Sequence, residues 1–303
     1  MFVDLLGKTR IKLGLHISST RSNGKEKPSE LAKKYIEGNY DAIALTDNWI
    51  YNDEGEIEGL RIISGCEYST GSLEDGCDAY HIVGIGMTSD PEIPVAWHNM
   101  KKTALAKAAD IATMIKKSNG FAFASYPAHN KNTAEKLLEL ENIDGIEIYN
   151  SESEYGDVDS GYAGEISDKL AFYGKNIVLI ASDGVNCYEG EDHRCAVMVE
   201  SSNADTPHII RALKQGRFYT TEGPEIHLER IGADKVRVIC SPAIKIEFFS
   251  DSDKSQGKVI RGENLLEADY CIKDGERFVR AEVMDSNGLM AWSNIIRFDE
   301  LYR

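Results

Sequence analysis

Ala42-Ile-Ala-Leu-Thr-Asp-Asn48 is apolar for its first four residues and polar for the rest. A run that is apolar throughout, rather than at every second position, fits a strand buried on both faces of a parallel sheet. Working outward, the same texture recurs at Ile11–Leu15, Ile82–Ile85, Phe121–Ala124, Ile143–Ile148, Ile177–Ala181 and Ala196–Val199. Helical segments fall between the runs. Pro28 to Glu37 reads as a helix stopped by Gly38, and Ala96 to Ser118 as a longer one stopped near Gly120. Gly161 to Tyr173 ends at Gly174, while Asp205-Thr-Pro opens a helix that ends at Gly216. Strand–helix alternation repeated this often predicts a parallel α/β sheet or barrel.

Behind Pro224 the texture changes. Ile226–Ile231, Lys235–Ile239, Lys245–Phe249, Phe278–Met284 and Met290–Phe298 alternate apolar and polar residues, and Asp274-Gly275 and Asn287-Gly288 are turn signals. The sequence therefore predicts two domains: an α/β domain over residues 1–221 and a β-sandwich-like module over residues 222–303.

The chain has 303 residues, 42% of them apolar and 28% charged, as in ordinary globular proteins. Its 34 basic and 50 acidic residues give a net charge of −16. With no basic cluster in view, nucleic acid and anionic membrane are excluded as expected partners, and a small-molecule substrate is favoured. A negatively charged substrate needs a local positive centre, which a bound cation supplies. No stretch reaches the roughly 18 apolar residues of a membrane-spanning helix. The opening MFVDLLGKTRIKLG has no basic lead and no cleavage site, so the expected location is cytoplasmic. Six cysteines with no C-x-x-C pair argue for inert thiols rather than a zinc ribbon.

Polar residues at the ends of the apolar runs carry the chemistry. They are His16, Thr46-Asp47-Asn48, Glu67, His81, Glu147 before Tyr149-Asn150, and Ser182-Asp183. Strand ends of a parallel barrel converge on one rim, and mixed histidine and carboxylate sets suit zinc, manganese or iron. Singly, each has a plainer reading: Asp47 or Asp183 caps a helix or pins a loop, and a lone histidine is a hydrogen-bonded structural residue. Their joint order is what independent capping roles do not explain.

That order resembles the PHP (polymerase and histidinol phosphatase) metallohydrolase superfamily, most of all its CehA/McbA type. The resemblance runs through Gly14-Leu-His-Ile-Ser-Ser-Thr-Arg-Ser-Asn-Gly24, Ala42–Asn48, Ser64-Gly-Cys-Glu67, His81-Ile-Val-Gly-Ile-Gly86, Asp144-Gly-Ile-Glu-Ile-Tyr-Asn150, Ala181-Ser-Asp183 and Gly216-Arg-Phe-Tyr-Thr-Thr-Glu-Gly-Pro224. Val279-Arg-Ala-Glu-Val, Gly288 and Ala291-Trp-Ser-Asn294 are similar to the C-terminal β-module of that group. The resemblance implies a distorted (β/α)7 TIM-like barrel of PHP type followed by a small all-β sandwich-like domain. It also implies phosphoester hydrolysis with two or three metal ions.

The ligand motifs are incomplete. The family's His-x-His reads His16-Ile17-Ser18, its Thr-Asp-His reads Thr46-Asp47-Asn48, its His-Pro reads Tyr126-Pro127, and its Ser-Asp-Ala-His reads Ser182-Asp183-Gly184-Val185. Carried over residue by residue, the metal ligands are His16, Glu67, His81 and Asp183. Asp47 and His81 are the catalytic candidates, as general base and as ligand or acid. Tyr126, Asn150 and Arg194 are candidates for lining the cleft, and His129 for a replacement ligand. The resemblance thus implies a divalent metal (zinc, manganese or iron) at reduced occupancy, with at most one or two ions and weak hydrolysis. The alternative is a catalytically inactive PHP-fold pseudoenzyme that binds or scaffolds through the same cleft. Substrate, metal and oligomeric state are left open by the sequence.

Overall fold

The apolar runs form buried strands: every residue of Ala42–Leu45 and Phe121–Ser125 is inaccessible. This is seen in a computed structural model that describes residues 1–93, 97, 100–155, 160–186, 193–253 and 257–298. Thr9–Ile17 pairs in parallel with Ala42–Leu45, which pairs in parallel with Leu60–Ile63. Tyr80–Ile85 then runs antiparallel to both of its neighbours, Gly65–Thr70 and Phe121–Ser125. Gly145–Asn150 and Val178–Ser182 add on in parallel. Ala196–Glu200 comes back antiparallel to Thr9–Ile17. The directions are therefore mixed, although the apolar texture predicted parallel strands. The reason is that burial on both faces, not direction, sets that texture.

Hydrogen bonding gathers these strands into two open sheets, of thirteen and five strands, and no closed ring forms among the described residues. The sheets nonetheless enclose one core. Leu13, Leu15, Ala42, Ala44 and Ile63 of the larger sheet pack with Val83, Ile85, Phe121, Phe123 and Ile180 of the smaller. The alternate residues Ile82, Ala122 and Ala124 face the other way, onto Ile111, Ala112 and Ile115 of the helix Ala104–Lys117. That helix begins later than its sequence suggested, because the Thr103 side chain caps it by accepting from Ala106 N–H. Positions 96, 98 and 99 of the expected helix lie outside the described residues. Pro28–Glu37 forms as read, Gly164–Phe172 falls within the span expected for its helix, and Thr206–Lys214 is capped by Asp205.

The C-terminal strands extend the larger sheet. Phe218–Thr221 pairs with Met290–Trp292, which pairs with Phe278–Met284. The two strands expected over residues 235–249 are one strand, Lys235–Ser250, whose register is irregular around Pro242. Its other neighbour, Val259–Cys271, is largely exposed and was not legible as a strand. Arg280, fully buried, ties this region to the helix Gly164–Phe172 through its Nε, 2.6 Å from Asp168 Oδ1, and also pairs with Glu282. Among the described residues no helix is long and apolar enough to cross a membrane.

Candidate functional site

The same alternation that builds the shared core delivers polar groups to one end of it. Along Thr9–Ile17 the inward residues are Ile11, Leu13 and Leu15. Strict alternation would send Ile17 inward next. Instead the register against Ala42–Leu45 slips between Gly14 and Ile17, and His16 adopts φ 62°. The bulge turns His16 inward and Ile17 onto the outer cluster. On Gly65–Thr70, Cys66 and Tyr68 pack outward, so Glu67 faces in. On Tyr80–Ile85, His81 shares the inner face with Val83 and Ile85. Glu67 lies opposite Val83, and His81 opposite Ser69, which makes Glu67 and His81 diagonal neighbours. Glu147 lies between the outward Ile146 and Ile148, opposite Ile180.

These residues form one chain of contacts. His16 Nδ1 is 2.7 Å from Glu147 Oε1, His16 Nε2 is 3.3 Å from Glu67 Oε1, and His81 Nδ1 is 2.9 Å from the same Glu67 oxygen. Burial alone would lower the His16 pKa, but the Glu147 and Glu67 carboxylates outweigh it and push it up to about 10. At neutral pH His16 is thus the positive charge between two carboxylates. Burial works to raise the Glu67 pKa, yet His16 and His81 hold it well below the ordinary carboxylate range. Glu147 is completely buried and also accepts from Tyr126 N–H at 2.9 Å, Asn150 Nδ2 at 3.0 Å and the Ser182 hydroxyl. Tyr126 adopts φ 53° and sets its ring against both histidines, with centroids 4.7 Å from His16 and 5.5 Å from His81. Two non-glycine residues in the left-handed region, each about 1–3 kcal/mol of local strain, persist because Glu147 holds both.

Asp183 is not brought into this chain. On Val178–Ser182 the inward residues are Ile180 and Ser182, so the next residue points away. Its carboxylate accepts from Tyr35 OH at 2.7 Å and from the backbone N–H groups of His193, Arg194 and Cys195. Burial pushes its carboxyl up to about 7 against the pull of those donors. Asp47 is likewise spent on its loop, accepting from Ser19 N–H and hydroxyl, Ser22 hydroxyl and Asn52 Nδ2. Asn150 orients Glu147 from beneath, while its Oδ1 accepts from Ser153 N–H. Arg194 stacks its guanidinium 3.7 Å from the Tyr155 ring and lines a separate cavity with His193 and Glu222. Gly184, at φ 63°, passes so close to Asn150 that a Cβ there would sit 2.4 Å from Nδ2.

Above the chain opens a cleft of about 340 Å³ whose walls include Asn48, Glu67, His81, Tyr126, His129 and Glu152. Tyr126 OH donates to Glu152 at 3.1 Å. His129 reaches the cleft, where burial lowers its pKa, and contacts the Ser160 hydroxyl at 3.1 Å. Of the residues singled out from the sequence, His16, Glu67, His81 and Tyr126 are brought together. Glu147 went without a role in that reading, though its signal was there: it is the one charge in the fully buried strand Gly145–Asn150. Among the described residues, three histidine, cysteine or carboxylate donor atoms within 4.8 Å of one another occur only at Asp4, Glu225 and His227. There Arg10, 2.6 Å from Asp4, already supplies the cation.

The chain is similar over 96% of its length, and over 96% of the other chain, to a two-domain protein from Bacteroides vulgatus containing a predicted PHP-like metal-dependent phosphoesterase, at 15% identity and TM-score 0.50. The likeness is one of fold. An amidohydrolase from Chromobacterium violaceum is similar over 68% of this chain and 96% of its own, at 12% identity and TM-score 0.45. No family model and no curated protein matches the chain. What this fold presents at its inner rim is the Glu147–His16–Glu67–His81 chain of alternating acids and imidazoles.

Proposed function

We propose that the chain is a divergent metal-dependent hydrolase of PHP type, in which one divalent cation is held by His16, Glu67 and His81. The observation that carries this reading is Glu67, whose single oxygen is shared by two histidine nitrogens at the wall of a cleft. The donor set fits such an ion: two imidazoles and a carboxylate suit zinc, manganese or iron. Glu147 on His16 Nδ1 is the outer partner that leaves Nε2 for a metal. His16, Glu67 and His81 would hold the ion, although their donor atoms do not lie mutually within 4.8 Å in this structure. A bound cation supplies Lewis acidity and an activated water. Glu147 orients His16, Tyr126 covers both imidazoles, and His81 stands at the cleft wall. Asp183 and Asp47 act as loop anchors.

With this activity we propose the CehA/McbA type, a distorted (β/α)7 barrel over residues 1–221 with a sandwich-like module over 222–303, a ligand set reduced to one ion, weak turnover on a small substrate such as a phosphoester, and a cytoplasmic location. The second reading is an inactive binding protein. It is favoured by Ser18, Asn48, Tyr126 and Val185 at positions where the family's motifs carry histidines, and by the engagement of Asp183.

The deciding experiment is metal analysis and calorimetric titration with Zn²⁺ and Mn²⁺, followed by assay with bis(p-nitrophenyl) phosphate. One equivalent of metal, lost in Glu67→Gln together with turnover, supports the hydrolase. Metal without turnover selects the binding protein with a structural ion. No metal with either ion rejects the hydrolase reading.

A further inference from the structure

The cleft offers a ligand many hydrogen-bonding groups and little charge. None of its described lining residues is a lysine or arginine. Its two carboxylates are already engaged, Glu67 by His16 and His81, and Glu152 by the Tyr126 hydroxyl at 3.1 Å and Asn186 Nδ2 at 2.9 Å. The rest of the wall is rich in uncharged amides: Asn23, Asn48, Asn130 and Asn186.

Two of these amides have one end committed and the other open. The Ser69 hydroxyl accepts from Trp49 Nε1 at 3.3 Å and donates to Asn48 Oδ1 at 3.3 Å, which fixes the oxygen end of Asn48. Asn48 Nδ2 then has no acceptor among the described residues, and the side chain lines the cleft. Asn186 is the reverse. Its Nδ2 donates to Glu152, and its Oδ1 is buried with no hydrogen-bond partner. A buried carbonyl oxygen left unpaired is costly, so a donor is called for at this point. The cleft therefore holds an open donor and an open acceptor. An ammonium group uses only acceptors and a phosphate only donors, whereas a hydroxyl both gives and takes a hydrogen bond. Tyr126 and His129 add ring surface to the same walls, and the cleft of about 340 Å³ suits a single small ligand. A ring with hydroxyls on its rim and C–H groups on its face matches both features.

We propose that Asn48 and Asn186 form a sugar subsite, so that the part of the substrate held in this cleft is an uncharged ring bearing several hydroxyls. Asn48 Nδ2 donates to one hydroxyl, Asn186 Oδ1 accepts from another, and the Tyr126 ring packs against the C–H face. This deepens the hydrolase reading by naming the unreactive part of its substrate and rests on the same cleft, but sugar binding itself needs no metal.

The test is a binding comparison in which turnover is not required. Methyl α- and β-glycosides of glucose, galactose, mannose and xylose are titrated into the full chain by saturation-transfer NMR, with and without Zn²⁺. Cyclohexanemethanol, which keeps a ring and one hydroxyl, and N-acetylglycinamide, which offers amides instead, are the comparison compounds. At least one glycoside is expected to bind at least about tenfold tighter than either, as two further hydrogen bonds imply. Asn48→Leu and Asn186→Leu each remove one of those bonds, so each is expected to weaken that glycoside about three- to tenfold while Zn²⁺ affinity stays the same. Melting curves identify any variant that fails to fold, and the other variant then decides. The subsite is overturned if no glycoside outbinds the comparison compounds, if the diamide binds best, or if glycoside affinity survives in the folded variants. Failure of the hydrolase reading looks different: Zn²⁺ does not bind, while the glycoside preference persists.

Discussion

Replacing Glu147 by glutamine tests the centre of the site with one atom changed. Four donors converge on its two oxygens: His16 Nδ1 at 2.7 Å, Tyr126 N–H at 2.9 Å, Asn150 Nδ2 at 3.0 Å and the Ser182 hydroxyl. Glutamine keeps one acceptor oxygen, and its NH₂ must face the donors on the other side. About two hydrogen bonds are lost, at roughly 1–3 kcal/mol for each group left unpaired in a dry site. The His16 imidazolium also loses one of its two flanking carboxylates. Together these give a destabilisation of about 3–5 kcal/mol for Glu147→Gln at pH 7, in the range seen when one partner of a buried ionic pair is removed. With His16 Nδ1 no longer anchored, metal affinity should fall by a further 10–100-fold. Urea unfolding followed by circular dichroism measures the first quantity and calorimetric titration with Zn²⁺ the second. The exposed Glu165→Gln, with its side chain 82% accessible, serves as control and should unfold at the same urea midpoint as wild type. A Glu147→Gln protein within about 1 kcal/mol of wild type, with unchanged Zn²⁺ affinity, would refute the reasoning.

Other consequences follow from single contacts. Arg280→Met leaves Glu282 buried without its cation and frees Asp168; it should cost about 3–5 kcal/mol in urea unfolding, and Arg280→Met with Glu282→Met should recover most of that. Gly184→Ala combines a left-handed backbone with a Cβ 2.4 Å from Asn150 Nδ2, so it should destabilise by about 1–3 kcal/mol and weaken Zn²⁺ binding through Glu147. Asp269 is held down to about 2 by its hydrogen bond from Arg237, with help from Lys235. A lowered acid contributes stability above its unfolded value near 4 and loses it as pH falls from about 4 to about 2. Because this pair is exposed, Asp269→Asn should cost under about 1 kcal/mol at pH 7, less in high salt, and only a small remainder at pH 2, as measured by thermal melts.

The sequence by itself determined the buried strands of the core and the candidate residues at their ends. Uninterrupted apolar runs such as Ala42–Leu45 have few alternatives to burial, and Asp274-Gly275 and Asn287-Gly288 mark turns whose glycines take φ 84° and 83°. His16, Glu67 and His81 could be named because a polar group at the end of a buried run stands out. Only the tertiary structure decided which way each of them faces. Strand-end residues share a rim only if they share parity, and parity is set by register: a bulge before Ile17 brings His16 inward, whereas regular alternation keeps Ser182 inside and turns Asp183 out. Glu147 has its role for the same reason, since a carboxylate in a buried strand needs donors, and those donors come from chain segments that only folding places around it.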